Sequence, residues 1–286
     1  MTEAELKSIL ENGESAWLEL TESQNNEERT LTEKRVSHAN TFDAQPCFES
    51  ALEDLDLAVF PEYQRLAIDP QILEENHRPI TQQLASLRLY DLKNDCPTHG
   101  GILLFGKNVR YYLSGAYIQF LQVEGDTLAD TVLQEREIAG DLQSVLRRLD
   151  DLLESMVAQY PVSVSLLREQ TLAAYPKIAL REMAMNAVMH RNYESTAPIR
   201  ITWLSDRIEI QSPGGLYGEA SQENFPTQTS YRNPIIAEAM KTLGYLNRYG
   251  AGVRRAEEAM LKNGSPPLEF RFDAGYVLAT LRRREH

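Results

Sequence analysis

The hydrophobic pattern is clearest in the second half of the chain. Residues 141–159 carry apolar side chains at helical spacing, which predicts a long amphipathic helix. Residues 198–204 and 207–212 are rich in β-branched residues around a tight turn and predict a two-stranded hairpin. Residues 275–283 predict one more strand. The apolar stripe of the long helix consists of Leu142, Val145, Leu146, Leu149, Leu152, Leu153 and Met156.

Start and stop signals predict two further helices near the C-terminus. Asn233 is typical of a helix cap, and Pro234 suits the first helical turn because its missing N–H needs no partner there. Gly250 and Gly252 directly precede a last helix, which is expected to end at Gly264.

The first half has weaker patterns. Residues 21–50 are polar without a sustained period and predict an extended connector. Helical spacing predicts helices over 52–67 and 80–92. Paired glycines followed by an apolar run over 98–109 suit a buried strand, and 115–126 predicts another strand. Helices and strands mixed in this order predict an α+β protein.

Composition excludes several classes of protein. The net charge of −13 disfavours generic DNA binding, because affinity for phosphate comes mainly from Lys and Arg. No apolar run approaches the roughly 20 residues of a membrane helix, and the N-terminus lacks the pattern of a secretion signal. We therefore expect a cytoplasmic protein without a membrane partner. Cys47 and Cys96 are too few for a disulfide framework or a cysteine zinc site.

The predicted helix over 175–193 is apolar on almost every side, yet it carries a polar stripe. Glu182, Asn186 and His190 follow one another four residues apart, so they lie within about 80° of the helix circumference. A helix that is apolar nearly all round is usually buried. Because burial of a carboxylate and an amide without partners is costly, the stripe must meet polar groups, a metal or a ligand.

The residues of the stripe leave three interpretations open. The first is a polar core network, with Asn186 bonded to neighbouring strands and His190 as an ordinary buried histidine. The second is a divalent metal site, because His and Glu at helical spacing can share a metal. The third is a nucleotide site, in which the Asn186 oxygen helps hold Mg²⁺ and Glu182 orients or deprotonates a water molecule.

The surrounding motifs favour the nucleotide site. The motif E-x3-N-A-x2-H-x2-Y, which begins at Glu182, resembles the N box of the GHKL ATPases, the group that includes gyrase, histidine kinases and MutL. In that group a strand pair leads to a glycine box, a mobile lid and a second glycine box at a helix start. This chain has the same order of parts, with "SPGG" at 212–215, a polar stretch at 217–232 and "GAG" at 250–252. The resemblance implies a GHKL-like α/β sandwich at the C-terminus.

A narrower resemblance covers roughly residues 31–283. The stretches "YPKIALREMAMNAVMHRNY", "DRIEIQSPGGL", "YRNPIIAEAMKTLGYLNRYGAGVRR" and "GGILLFGKN" resemble bacterial predicted transcriptional regulators with a Schlafen-type AlbA domain and a RecG-like C-terminal part. This implies a remnant of the AlbA-like segment over 1–30, a mixed α/β linker and middle region over 31–135, and a GHKL-like ATP-binding-type domain over 136–286. The resemblance also implies that most of the DNA-binding AlbA module is missing from this chain.

The resemblance implies ATP and Mg²⁺ as ligands and assigns roles to particular residues. Glu182 becomes the candidate catalytic base, and Asn186 the metal ligand. Backbone N–H groups at a glycine-rich helix start can receive phosphate. The implied nucleotide-binding residues are Asn186, His190, Ser212, Gly214, Gly215, Gly250 and Gly252.

One departure from the family pattern concerns adenine. Ser212, followed by Pro213, stands where active GHKL enzymes carry an Asp that binds the adenine amino group. Loss of such a contact costs about 2 kcal/mol, or about thirtyfold in affinity.

Taken together, the sequence predicts a transcriptional regulator with a GHKL-like ATP-binding module and at most weak ATPase activity. The alternative is a non-catalytic scaffold protein that retains a degenerate ATPase fold. The family resemblance implies DNA as a partner, but the acidic charge and the missing AlbA portion argue against DNA binding. The other expected partner is a second copy of the chain or another protein.

Overall fold

The computed structural model describes residues 41–165, 167–227, 230–246 and 251–284. From Phe42 onward, these residues belong to one compact unit. The predicted AlbA-like remnant over 1–30 lies outside the described residues, as does the connector up to residue 40.

The secondary structure alternates between helices and strands. Two short 3₁₀ turns, Phe42–Ala44 and Leu52–Asp54, precede the first helix. The helices are α1 (Phe60–Ala67), α2 (Pro70–Glu74), α3 (Ile80–Ser86), α4 (His99–Phe105), α5 (Val109–Tyr112), α6 (Leu142–Met156), α7 (Lys177–His190), α8 (Pro234–Thr242) and α9 (Gly252–Asn263). The strands are β1 (Tyr90–Asp91), β2 (Cys96–Pro97), β3 (Tyr117–Val123), β4 (Val132–Ala139), β5 (Gln159–Ser165), β6 (Arg168–Ala173), β7 (Ile199–Trp203), β8 (Arg207–Pro213), β9 (Glu269–Phe272) and β10 (Tyr276–Arg282).

A six-stranded mixed sheet, in the order β4-β3-β7-β8-β10-β9, organises the fold. Strands β3 and β7 run parallel, and the other neighbours are antiparallel. Phe120, Ile201, Ile210 and Ala279 stand side by side across four central strands and are all buried. Helix α7 packs on β8 and β10, and α9 packs on α7, so the helices cover the apolar face of the sheet. This arrangement confirms the predicted α+β class.

The C-terminal end of α7 is held by a buried arginine. Arg191 is 1% exposed, and its Nη2 donates to the carbonyls of Gly115 (2.6 Å), Ala197 (2.7 Å) and Ser195 (2.9 Å). Its Nη1 donates to the Asn192 carbonyl at 2.9 Å. Burial lowers the pKa of Arg191. Because these carbonyls lie on separate segments, the guanidinium ties the end of α7 to the loops around it.

Helix α8 begins differently from the expectation. Asn233 occupies the capping position, but its side chain forms no cap and instead donates to the carbonyls of Met189 (2.9 Å) and Arg191 (2.8 Å). The N–H groups of the first turn of α8 donate to Asp43, a residue from the start of the described chain. Asn233 therefore stabilises the end of α7, and a distant carboxylate caps α8.

The strand predicted over 98–109 is wrong, because His99–Phe105 forms α4. The Thr98 side chain accepts a hydrogen bond from the Gly101 N–H at 3.1 Å and so caps the helix. A Cβ on Gly101 would lie 2.1 Å from the Leu89 carbonyl oxygen, so this glycine permits close packing. A short buried apolar run fits a helix or a strand equally well, and here the Thr98 cap favours the helix.

Other boundaries differ from the prediction. The helix expected over 52–67 begins only at Phe60, where Pro61 enters the first turn. The helix expected over 80–92 ends at Ser86 and gives way to β1. Edge strand β4 was not predicted, because five of its eight residues are exposed and its sequence lacks alternation. The β5–β6 hairpin and β9 were not predicted either.

The predicted boundary between residues 135 and 136 stays a prediction. Strand β4 spans this position, and its partner β3 adds the preceding segment to the same sheet. Within the described ranges, no helix combines the length and the apolar character that crossing a bilayer requires.

Candidate functional site

A cleft with a volume of about 170 Å³ opens beside the polar stripe of α7. Its walls come from α7, from strands β8, β9 and β10, from the start of α9 and from the segment 214–231. These elements are far apart in the chain, so the fold brings the cleft together.

Most of the predicted site residues meet in this cleft. The polar stripe of α7, the end of β8 with its glycines, and the start of α9 all line it. Gly250 lies outside the described residues, so its predicted role is neither supported nor opposed. The roles assigned to the other residues stay predictions. The predicted residues that line the cleft are Glu182, Asn186, His190, Ser212, Gly214, Gly215 and Gly252.

Glu182 forms an ion pair that the sequence did not reveal. Its Oε1 accepts a hydrogen bond from Arg255 Nη2 of α9 at 2.6 Å. The Glu182 side chain is 8% exposed and that of Arg255 is 38% exposed. A Cβ on Gly252 would lie 2.6 Å from Glu182 Oε2, so the start of α9 rests against this carboxylate. The candidate base is therefore buried and anchored by an arginine.

Asn186 faces the cleft one turn further along α7. Its side chain is partly exposed, and no hydrogen bond joins its amide to another described residue. The interpretation as a polar core network predicted bonds from Asn186 to the neighbouring strands, and the described residues do not provide them. An amide oxygen with open coordination at the wall of a cleft fits a ligand or a hydrated cation.

His190 ends the polar stripe and lies against Tyr231. The two rings are almost parallel, at 5° with centroids 5.9 Å apart. Burial, and secondarily the charge of Arg232, lowers the pKa of His190 to about 4. The imidazole is therefore neutral at physiological pH and offers a flat, uncharged wall to the cleft.

Ser212 directs its hydroxyl towards α7. The buried Ser212 Oγ donates a hydrogen bond of 2.8 Å to the Ala187 carbonyl. Because its only proton is used there, Ser212 can present only acceptor lone pairs to a ligand. It can therefore accept a hydrogen bond from an amino group, although without the charge of a carboxylate.

The backbone at the two positions after Pro213 requires glycine for steric reasons. Gly214 has φ +96°, and a Cβ there would lie 2.8 Å from Asn192 Cβ. A Cβ on Gly215 would lie 2.6 Å from the Asp273 carbonyl oxygen. These glycines therefore allow the chain to turn beside the cleft.

Aromatic side chains line much of the cleft, which was not predicted. The segment 217–232 is mostly polar, yet Tyr217, Phe225 and Tyr231 line the cleft together with Phe270. Phe225 packs edge-to-face against Phe270, with ring centroids 4.8 Å apart. The aromatic residues that punctuate a polar stretch were the available signal.

The residues fit a nucleotide with Mg²⁺ better than a metal alone. Among the described residues, no group of three or more His, Cys, Asp or Glu side chains could hold a metal ion. Mg²⁺ in nucleotide sites takes few protein oxygens and completes its shell with phosphates and water. One open amide oxygen on Asn186, one turn from the Glu182 carboxylate, suits this donor set.

Comparisons with known proteins agree with the fold. Residues 196–281 match the family model described as "Putative ATP-dependent DNA helicase recG C-terminal". The crystal structure of the DIP2311 protein from Corynebacterium diphtheriae superposes with a TM-score of 0.62 at 24% identity. That similarity covers 82% of this chain and 46% of the other, so this chain spans about half the length of that protein. Comparison with curated proteins finds no match. The C-terminal part of the chain thus resembles the ATPase-like domain of the matched family.

Proposed function

We propose that the cleft binds ATP with Mg²⁺ and that the chain acts as a nucleotide-responsive regulator. The observation that carries this proposal is that seven residues from three distant motifs line one cleft. Residues 196–281, which match the ATPase-like family model, contribute the strands and the second helix of that cleft.

Each motif contributes a separate part of the binding site in this proposal. Asn186 holds the cation through its amide oxygen, and Ser212 accepts a hydrogen bond from the adenine amino group. Gly252 keeps the start of α9 close to the ligand, because any side chain there would meet Glu182. Bound Mg²⁺ would neutralise phosphate charge.

Hydrolysis is expected to be weak. Glu182 is the candidate base, but its Oε1 already accepts a hydrogen bond of 2.6 Å from Arg255, so a water molecule would have to share this oxygen with the guanidinium. The neutral hydroxyl at Ser212 also binds adenine less strongly than a carboxylate would.

A melting curve with ATP–Mg²⁺, with ADP–Mg²⁺ and without nucleotide tests this proposal. A ligand present at 100 times its Kd stabilises the folded protein by about 2.7 kcal/mol, which gives a clear rise in Tm. We expect the shift to disappear in Asn186→Ala. The control is Ile178→Ala, on the exposed side of the same helix and outside the cleft, which should keep the shift. A wild-type protein that shows no shift with millimolar nucleotide would refute the proposal.

A rate assay then tests the role of Glu182. Any ATP hydrolysis should collapse in Glu182→Ala, while the Tm shift with ATP–Mg²⁺ survives. A variant that hydrolyses ATP at the wild-type rate would remove Glu182 as the base.

A scaffold role without nucleotide is the second candidate function. Two observations favour it: Arg255 pairs with the candidate base, and the Ser212 proton is used within the protein. In that case the polar stripe stabilises the fold, and Asn186→Ala and Glu182→Ala change Tm without any nucleotide dependence. The transcriptional role, DNA binding and association with a second copy or another protein stay predictions.

A further inference from the structure

Arg255 contributes a positive charge to the lining of the cleft. Among the described residues that line the cleft, it is the only Lys or Arg. His190 lies on the same wall but is neutral, because burial lowers its pKa to about 4. A ligand that carries phosphate would therefore meet one guanidinium from the described lining.

The Arg255 guanidinium is accessible to solvent, whereas the Glu182 carboxylate is buried. The Arg255 side chain is 38% exposed, whereas Glu182 is 8% exposed. The hydrogen bond of 2.6 Å between them joins two different helices. Arginine binds carboxylate and phosphate oxygens with the same fork of N–H groups, so the two anions compete for it or share it.

We propose that Arg255 selects ligands that carry phosphate and that Glu182 competes with the phosphate for its guanidinium. This inference rests on the proposed nucleotide function. Without ligand, Arg255 neutralises the buried carboxylate. With ligand, part of its hydrogen bonding moves to the phosphate chain, and Glu182 becomes available to a water molecule in the cleft. Arg255 thus links the phosphate content of the ligand to the state of Glu182.

Arg254 provides a matched control on the same helix. It is exposed and lies outside the cleft lining, yet its replacement removes the same charge from the chain. Arg254→Gln and Arg255→Gln therefore have equal net charge and differ in which arginine is lost.

The experiment measures binding of ATP–Mg²⁺ and of adenosine to the full chain by isothermal titration calorimetry. Arg255→Gln should weaken ATP binding by roughly tenfold to a hundredfold, because a charge-assisted hydrogen bond is lost, and leave adenosine binding unchanged. Arg254→Gln should bind both ligands like wild type. Arg255→Lys, which keeps the charge, should recover part of the ATP affinity.

Three outcomes would overturn the inference. If Arg255→Gln binds ATP like wild type, the guanidinium does not contact phosphate, and the proposed function still stands. If Arg255→Gln loses ATP and adenosine affinity equally, Arg255 only shapes the cleft. If wild type binds neither ligand, the proposed function fails and this inference fails with it.

Glu182→Gln tests the competition in a protein that keeps Arg255. The neutral amide still accepts a hydrogen bond but holds the guanidinium less strongly, so ATP should bind roughly fivefold to tenfold tighter, with adenosine unchanged. Unchanged or weaker ATP binding in Glu182→Gln would show that the carboxylate does not compete. This variant also decides the matter if Arg255→Gln does not fold.

Discussion

Removal of the Asp43 carboxylate should destabilise the protein far more than its place in a short 3₁₀ turn indicates. Asp43 is 0% exposed, and its Oδ2 accepts hydrogen bonds from the N–H groups of Ile235 (2.7 Å) and Ile236 (3.2 Å). These N–H groups belong to the first turn of α8, where no residue of the helix itself can accept them. The carboxylate also faces the positive end of the helix dipole.

The magnitude follows from these contacts. Asp43→Ala leaves two buried N–H groups without an acceptor, each at about 1–3 kcal/mol, so the free energy of unfolding should fall by about 3–5 kcal/mol. Asp43→Asn keeps an acceptor oxygen and loses the charge, which should cost about 1–2 kcal/mol. For a unit of this size, about 1 kcal/mol corresponds to about 2–4 °C in Tm.

Thermal unfolding followed by circular dichroism, supported by urea titration, checks this prediction. The matched control is Asp69→Ala, because Asp69 caps α2 with a bond of 2.9 Å to the Gln71 N–H but is exposed. That variant should lose about 1 kcal/mol or less. If Asp43→Ala and Asp69→Ala unfold at the same Tm, the buried carboxylate does not stabilise the N-terminus of α8 and the reasoning is wrong.

Three further predictions concern the cleft. Gly252→Ala places a Cβ 2.6 Å from Glu182 Oε2, so we expect a loss of about 1–3 kcal/mol in urea unfolding; wild-type stability would contradict this contact. Because burial lowers the pKa of His190 to about 4, the contribution of this residue to the free energy of unfolding should be complete above pH 6.5 and fall by up to about 3 kcal/mol between pH 6.5 and 4. His190→Gln should lack this part of the pH dependence, and an identical pH profile would disprove the cause. Ser212→Ala loses the bond to the Ala187 carbonyl and should unfold about 1 kcal/mol more easily, whereas Ser212→Thr, which keeps a hydroxyl, should lose less.

Local patterns predicted most of the elements that line the cleft, although not β9. The apolar circumference and polar stripe of α7 predicted a buried helix with one functional edge, and Glu182 is buried as expected. The β-branched residues on either side of a tight turn predicted β7 and β8 to within one residue at each end. The predicted stop at Gly264 is confirmed, because this residue adopts a left-handed conformation with φ 71°.

Sequence reasoning failed where local signals were ambiguous or absent. The apolar run that forms α4 is too short for periodicity to distinguish a helix from a strand. The Thr98 cap is the feature that identifies it as a helix. Strand β4 lies at the sheet edge with five of its eight residues exposed, so its sequence shows no core-facing alternation.

Neighbours within a few positions were enough to predict which residues share a helix face, which strands pair through a tight turn and where glycines end a strand or a helix, because these properties are local. The partners of the charged groups, in contrast, depend on how the elements pack. Arg255 reaches Glu182 across 73 positions, and Asp43 reaches Ile235 across 192. Exposed arginines and buried ones look alike in a sequence, and the nearest acceptor depends on how the helices pack. Helix packing therefore places the charge of Arg255 in the cleft.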